Sequence, residues 1–153
     1  GYSLVRKICF EVLGLRVDSH VPELGQTLGE ALLTPTRIYT NTIGQLIRNL
    51  PIQGLAHITG GGIMDNIVRV IPQACGISIK KGSWDIPPIF PFLQKHGNVA
   101  DDEMFRVFNM GIGYVLIVRP AFADSIVRQL NRLGEQAFVL GKVVKGKGNV
   151  RLE

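Results

Sequence analysis

The string Ala56-His57-Ile58-Thr59-Gly60-Gly61-Gly62 carries the sharpest chemical suggestion in this chain. Three consecutive glycines between a strand-like run and a helical pattern let backbone N–H groups approach an anion without interference from Cβ atoms, and the helix start adds a favourable dipole. Asn66 and Arg69 are three residues apart, a spacing that projects them from one side of that helix. A phosphate or carboxylate would then meet the amides of Thr59, Gly60, Gly61 and Gly62, an amide side chain and a guanidinium fork. The same string also serves as a sharp turn without a ligand. It is neither a Walker A loop, since no Lys-Ser/Thr pair follows, nor a dinucleotide fingerprint, since GxGxxG and its distant acid are missing.

His57 is the only histidine close to this loop. A lone histidine among apolar strand neighbours is commonly a satisfied core residue, so it is carried as a weak catalytic candidate. A second glycine pair, in Phe108-Asn109-Met110-Gly111-Ile112-Gly113, opens an apolar run. Tight helix-to-strand packing accounts for the glycines, while the amide of Asn109 can donate and accept at the mouth of a cleft. Gly1-Tyr2-Ser3 offers helix-start amides to an anion, although a plain Ser3 cap explains it as well. The sequence shows no Ser-His-Asp, Cys-His or paired-carboxylate constellation. Cys9 and Cys75 lie in apolar stretches without a CxxC pair or metal-ligand spacing and read as structural thiols, so no metal site is expected.

The elements that must position these residues follow from periodicity and breakers. Ser3 caps a helix to about Leu13 that ends at Gly14, and residues 15–35 read as a long loop around one short helix. From Thr36 a helical pattern places Ile38, Ile43, Leu46, Ile47 and Leu50 on one buried side and stops at Pro51. A short strand GLAHI runs into the triglycine loop, followed by a helix to Pro72, a strand GISIK, helices over 92–96 and 102–108, and the apolar run 112–119. That run reads as a central strand covered on two faces. A helix over 121–133 and two strands, AFVLGKVV and NVRLE, joined as a hairpin through KGKGN, close the chain. The alternation predicts an α/β or α+β domain with a mixed sheet covered by helices and a partial ferredoxin-like, split βαβ topology.

At 153 residues and 46% hydrophobic content, the chain suffices for one domain with a sizeable core. No apolar run approaches the ~20 residues of a membrane span, and no signal peptide is evident, so an intracellular protein without a membrane partner is expected. The formal charge of +5 is scattered apart from Lys142, Lys145, Lys147 and Arg151, and no aromatics interleave with those residues. That pattern argues against nucleic acid and suits a small phosphorylated ligand.

Four strings in order resemble one family. Gly1-Tyr2-Ser3-Leu4-Val5-Arg6 is similar to the SNGYSLVR-like string that begins the second half of aminoimidazole ribonucleotide synthetase, also called phosphoribosylformylglycinamidine cyclo-ligase. Leu33-Thr34-Pro35-Thr36-Arg37-Ile38-Tyr39 resembles its LxPTxIY element. His57 to Pro72 resembles its HxTGGGxxxNxxRxxP signature, and Glu103 to Gly113 resembles EMxxxFNxGxG. The resemblance implies that residues 1–153 are the C-terminal α+β domain of a cytoplasmic, ATP-dependent enzyme of purine biosynthesis.

In that family ATP phosphorylates the formyl amide oxygen of formylglycinamidine ribonucleotide. An amidine nitrogen attacks the activated carbon, and loss of phosphate closes the imidazole ring. The resemblance further implies a homodimer when full length, and an N-terminal domain supplying the dimer core and much of the ATP and Mg2+ site. Since this chain starts inside the Gly-Tyr-Ser motif, that domain is expected to be missing, the chain alone to be inactive, and no cofactor to be held by it alone. Its expected substrate- and phosphate-binding residues are Gly1, Ser3, Thr59, Gly60, Gly61, Gly62, Asn66, Arg69 and Asn109. The alternatives are the matching domain of a related synthetase of the same superfamily and a non-enzymatic phosphometabolite-binding module.

Overall fold

In the computed structural model, which describes residues 1–153, the first helix begins one residue into the chain. Helix α1 (Tyr2–Arg6) runs without a break into a wider π-type stretch over Lys7–Val12. The first i→i−4 bond runs from Val5 N–H to Gly1 O, which puts Ser3 inside the first turn rather than at the cap. Ser3 therefore makes no capping bond, contrary to the sequence expectation, and Gly1 stands at the cap position. Gly14, with φ +61°, follows the last turn as expected of a helix stop.

Residues 15–35 hold more structure than a loop around one helix. His20–Val21 (β1) pairs antiparallel with Gln26–Thr27 (β2) around a 3-10 turn over Pro22–Leu24, and α2 (Leu28–Leu32) follows. The start of α2 is a capping box in which Thr27 Oγ1 accepts from Glu30 N–H while the Glu30 carboxylate accepts from Thr27 N–H. Helix α3 (Thr40–Asn49) starts four residues later than the periodicity suggested. Ile43 and Leu46 face the core, but Ile38, ahead of the helix, and Ile47 are exposed, so the expected five-residue apolar side is narrower.

Strand β3 (Ile52–His57) leads into α4 (Gly62–Ile67), extended by one 3-10 turn over Val68–Val70. Strand β4 (Cys75–Ile79), helices α5 (Ile89–Gly97) and α6 (Asp101–Val107) and strand β5 (Tyr114–Val118) come next. Helix α6 carries Asp101, Asp102 and Glu103 in its first turn, where the helix dipole favours negative charge. Helix α7 (Pro120–Arg132) has proline at its start and ends before Gly134, at φ +82°.

Strands β3 and β5 form an antiparallel ladder with His57 opposite Tyr114. One face of β5, Val115 and Ile117, packs on the main core, while Tyr114, Leu116 and Val118 pack on a second cluster with Ile43 and Leu46 of α3 and Ile126 and Leu130 of α7. The strand is covered on two faces, as its apolar run predicted, but it is not central: β3 is its only neighbour. Each fully buried Leu or Ile, such as Leu46 or Ile63, contributes about 1.5–3 kcal/mol.

The last two strands, β6 (Gly141–Lys145) and β7 (Asn149–Leu152), do not pair as a hairpin. They flank β4, β6 antiparallel and β7 parallel, in a mixed three-stranded ladder. The connecting loop causes this. Gly146 N–H donates to Ala74 O and Gly148 N–H to Cys75 O, drawing the loop across the start of β4. Gly146 and Gly76 meet so closely that a Cβ on Gly146 would lie 2.7 Å from the Gly76 Cα. The result is an α+β domain of helices over small sheets. Cys9 is fully buried and its thiol is pushed up by burial, while Cys75 is half-buried. No helix is long and apolar enough to cross a membrane.

Candidate phosphate-binding site

Where β3 ends, Thr59 to Gly62 form a tight turn closed by Gly62 N–H donating to Thr59 O at 3.1 Å. Gly61, at φ +94° and ψ −2°, takes the third position of a type II turn, where only glycine is unstrained. Gly62, at φ +61°, is needed for a different reason. A Cβ there would lie 2.1 Å from Phe105 O and 2.7 Å from Phe108 O, so α4 rests directly on the carbonyl end of α6.

Gly60 has neither demand: its φ is ordinary, and a Cβ there would meet nothing within 4 Å. The N–H groups of Thr59, Gly60 and Gly61 donate to no acceptor within the chain. The Asp65 side chain lies against Gly61, with Oδ2 3.0 Å from where a Cβ would sit, while the Gly60 side is open. These amides can take an oxyanion there, with little steric resistance.

Asn66 is 6% exposed, and its Nδ2 reaches Gly62 O at 2.7 Å, Gly60 O at 3.1 Å and Thr59 O at 3.4 Å. Its donors are consumed by the loop. It braces the turn, and its Nδ2 is engaged with the loop carbonyls rather than left open to an anion as expected. Arg69 lies in the turn after α4, exposed and without an ion pair.

The second glycine string forms a turn of the mirror-image kind. Ile112 N–H donates to Asn109 O, Met110 and Gly111 both have positive φ (51° and 92°), and Asn109 Oδ1 accepts from Gly111 N–H at 3.0 Å. Met110 tolerates this conformation because it is buried and its carbonyl accepts from Trp84 Nε1 at 2.9 Å. The Asn109 carboxamide still has its N–H2 donors. Gly113 O accepts from Ile58 N–H at 2.9 Å, so both glycine turns leave the β3–β5 ladder side by side.

Phe108 joins the parts. Its carbonyl backs Gly62, and its ring lies so close to Gly1 that a Cβ on Gly1 would sit 2.4 Å away. The structure thus brings together the chain start, the triglycine turn and the Asn109 turn. It leaves the Ser3 hydroxyl exposed and without a bond.

His57, which its apolar strand neighbours suggested as a core residue, is exposed at the end of β3. Its ring stacks on Tyr114, with centroids 5.6 Å apart and planes at 18°, and meets the Tyr39 ring edge-on at 5.9 Å. Tyr39 and Tyr114 are 5.3 Å apart. Sequence reasoning passed over Phe108, Tyr39 and Tyr114 as site residues. Tyr39 ends one of the family-like strings, and Tyr114 follows Gly113, but only strand register places Tyr114 opposite His57.

Nowhere do three or more His, Cys, Asp or Glu side chains converge as metal ligands. One shallow concavity of about 510 Å3 lies along the outer side of α3 (Thr40, Gly44, Arg48) and another at the α3–β3 junction, and neither is lined by the glycine turns.

Residues 3–153 match the family described as AIR synthase related protein, C-terminal domain. Curated relatives carry the name phosphoribosylformylglycinamidine cyclo-ligase. That of Citrifermentans bemidjiense is 52% identical over 145 residues, covering 95% of this chain and 42% of the relative. That of Desulfatibacillum aliphaticivorans is 47% identical over 154 residues, covering 100% and 44%. That of Thermoanaerobacter sp. strain X514 is 49% identical over 152 residues, covering 99% and 45%. The chain spans less than half the length of these relatives.

Proposed function

The chain belongs to the AIR synthase related family, as its C-terminal domain, and from that premise we propose that it is the C-terminal part of an ATP-dependent ligase closing the imidazole ring of formylglycinamidine ribonucleotide. The observation that carries the reading is the end-to-end similarity to relatives named as this cyclo-ligase. In the proposed reaction the formyl amide oxygen takes the γ-phosphoryl group of ATP and ADP leaves; an amidine nitrogen then attacks the formyl carbon, the phosphorylated oxygen leaves as inorganic phosphate, and a proton is lost as the ring closes. Aminoimidazole ribonucleotide is the product.

This chain's own share is positioning and charge neutralisation. The Thr59, Gly60 and Gly61 amides receive a phosphate, Asn66 keeps the turn shaped for it, Arg69 supplies a free guanidinium, and Asn109 offers donors at the neighbouring turn. His57, two residues ahead of the turn, is the side chain that acts in the chemistry. ATP and Mg2+ belong mainly to the half of the relatives that this chain does not span. That half also supplies the homodimer contacts, in a cytoplasmic enzyme.

The test combines this chain with that remaining half and measures aminoimidazole ribonucleotide formation with ATP and Mg2+. Turnover is expected from the combination and none from the chain alone. Ribonucleotide binding without turnover in the combination would replace the ligase with a phosphometabolite-binding module.

A further inference from the structure

An exposed histidine at the end of a strand ordinarily samples several rotamers, and a ring that acts at a neighbouring turn must be held in one of them. His57 is held by two tyrosines from different elements. Tyr114 is its cross-strand partner on β5, stacked nearly parallel to it, and Tyr39, just ahead of α3, closes the imidazole edge. Both are half-buried and pack against the second core of Ile43, Leu46, Ile126 and Leu130.

Tyr39 is held by one contact of its own and by two made by its chain neighbours. Its hydroxyl fills the space above Gly113, 1.9 Å from where a Cβ would sit. Two residues before it, Arg37 pairs with Glu135 through Nε at 2.7 Å, and three residues after it, Thr42 Oγ1 donates to the same carboxylate at 2.8 Å. Glu135, just beyond α7, is nearly covered and so fastens the start of α3 on either side of Tyr39.

We propose that Tyr39 and Tyr114 are positioning residues that fix the His57 imidazole at the end of β3, two residues ahead of the triglycine turn, with the Glu135 clamp fixing Tyr39. The proposal rests on the functional reading above, in which His57 acts in the chemistry. Gly113 is part of the device: it is glycine because the Tyr39 hydroxyl occupies the place of its side chain.

The experiment has one arm that does not depend on turnover. In the 153-residue chain, the ring protons of His57 are followed by NMR; stacking on Tyr114 shifts them upfield of a free histidine. Tyr114→Leu should remove the shift and Tyr114→Phe should keep it. Gly113→Ala, whose Cβ displaces Tyr39 while leaving both tyrosines unsubstituted, should alter the His57 resonances as Tyr39→Leu does. Thermal unfolding identifies any variant that fails to fold, and the phenylalanine and Gly113 variants then carry the comparison.

In the recombined enzyme, Tyr114→Leu should lower kcat about tenfold or more with KM little changed, and Tyr114→Phe should restore it, as expected when a reacting group is misplaced rather than removed. An unshifted His57 in the parent overturns the proposal. So does a Tyr114→Leu enzyme that loses the shift and keeps its kcat. A parent without turnover overturns the functional reading instead, and the resonances alone then decide the positioning.

Discussion

At Gly60 and Gly62 one residue type meets two different demands, and substitution separates them. Gly62→Ala forces a Cβ into the Phe105 and Phe108 carbonyls at a positive φ, and should destabilise the chain by more than the ~1 kcal/mol of an ordinary Gly-to-Ala strain. Gly60→Ala meets open space at an ordinary φ and should leave stability unchanged or raised by about 0.4–1 kcal/mol. If the Gly60 side is the anion approach, the same substitution should weaken ribonucleotide binding in the recombined enzyme. Arg69→Ala should weaken it roughly tenfold to hundredfold, the equivalent of one charge-assisted bond of about 1.5–3 kcal/mol, without unfolding the chain. Calorimetric titration beside thermal unfolding reads both quantities. A Gly60→Ala chain with full affinity would reduce the triglycine string to a turn.

Among elements, α6 has the greatest leverage on the site, because its carbonyl end supports Gly62 and its start is tied to the end of β4. That tie is the Lys81–Asp101 ion pair. The Lys81 hydrogen bond is the main cause holding the Asp101 carboxyl below its usual range, with Gln94 assisting and burial opposing. A depressed folded-state pKa means the contribution is present above the unfolded value, about 3.9, and is lost as pH falls through the folded one. Both side chains are about half exposed, so the contribution should stay under about 1 kcal/mol and shrink in salt. Urea unfolding of the parent and Asp101→Asn should differ at neutral pH and converge in acid below the ordinary aspartate range. A gap that persists there would assign the effect to packing rather than to the pair.

The whole molecule leaves unusual apolar surface uncovered. Leu33 is 82% exposed and Ile38 81%, with Tyr2, Val12 and Val17 also open. Several are linked: Tyr2 donates its hydroxyl to Leu32 O, and Val17 O accepts from Gly29 N–H, so the first helix, the segment after it and α2 share one side. A surface of this kind is the proposed seat of the part of the relatives that this chain does not span. Sedimentation velocity at rising concentration should show self-association of the isolated chain, relieved by Leu33→Ser with Ile38→Ser. A monomer at every concentration would count against that seat.

Local chemistry is legible in the order of residues alone. Gly14, Pro51, Pro72 and Gly134 mark element ends because positive φ and a missing N–H are properties of single residues, and the triglycine turn announces itself for the same reason. The alternation of strand- and helix-period runs carries the α+β class. Pairing is not legible. KGKGN reads as a hairpin turn, yet β6 and β7 straddle β4 because Gly146 settles on Gly76, a long-range contact that no local pattern encodes. Ser3 and Asn66 likewise read differently by residue type than by position in the fold. The helix starts ahead of Ser3, and the Asn66 amide turns back onto the carbonyls of its own loop. His57 acquires its tyrosine neighbours only when strand register sets Tyr114 opposite it and the Glu135 clamp brings Tyr39 against both. Residue types determine which groups could meet an anion. Long-range contacts decide which of them face outward to do so, since each side chain's direction depends on what the rest of the chain packs against it.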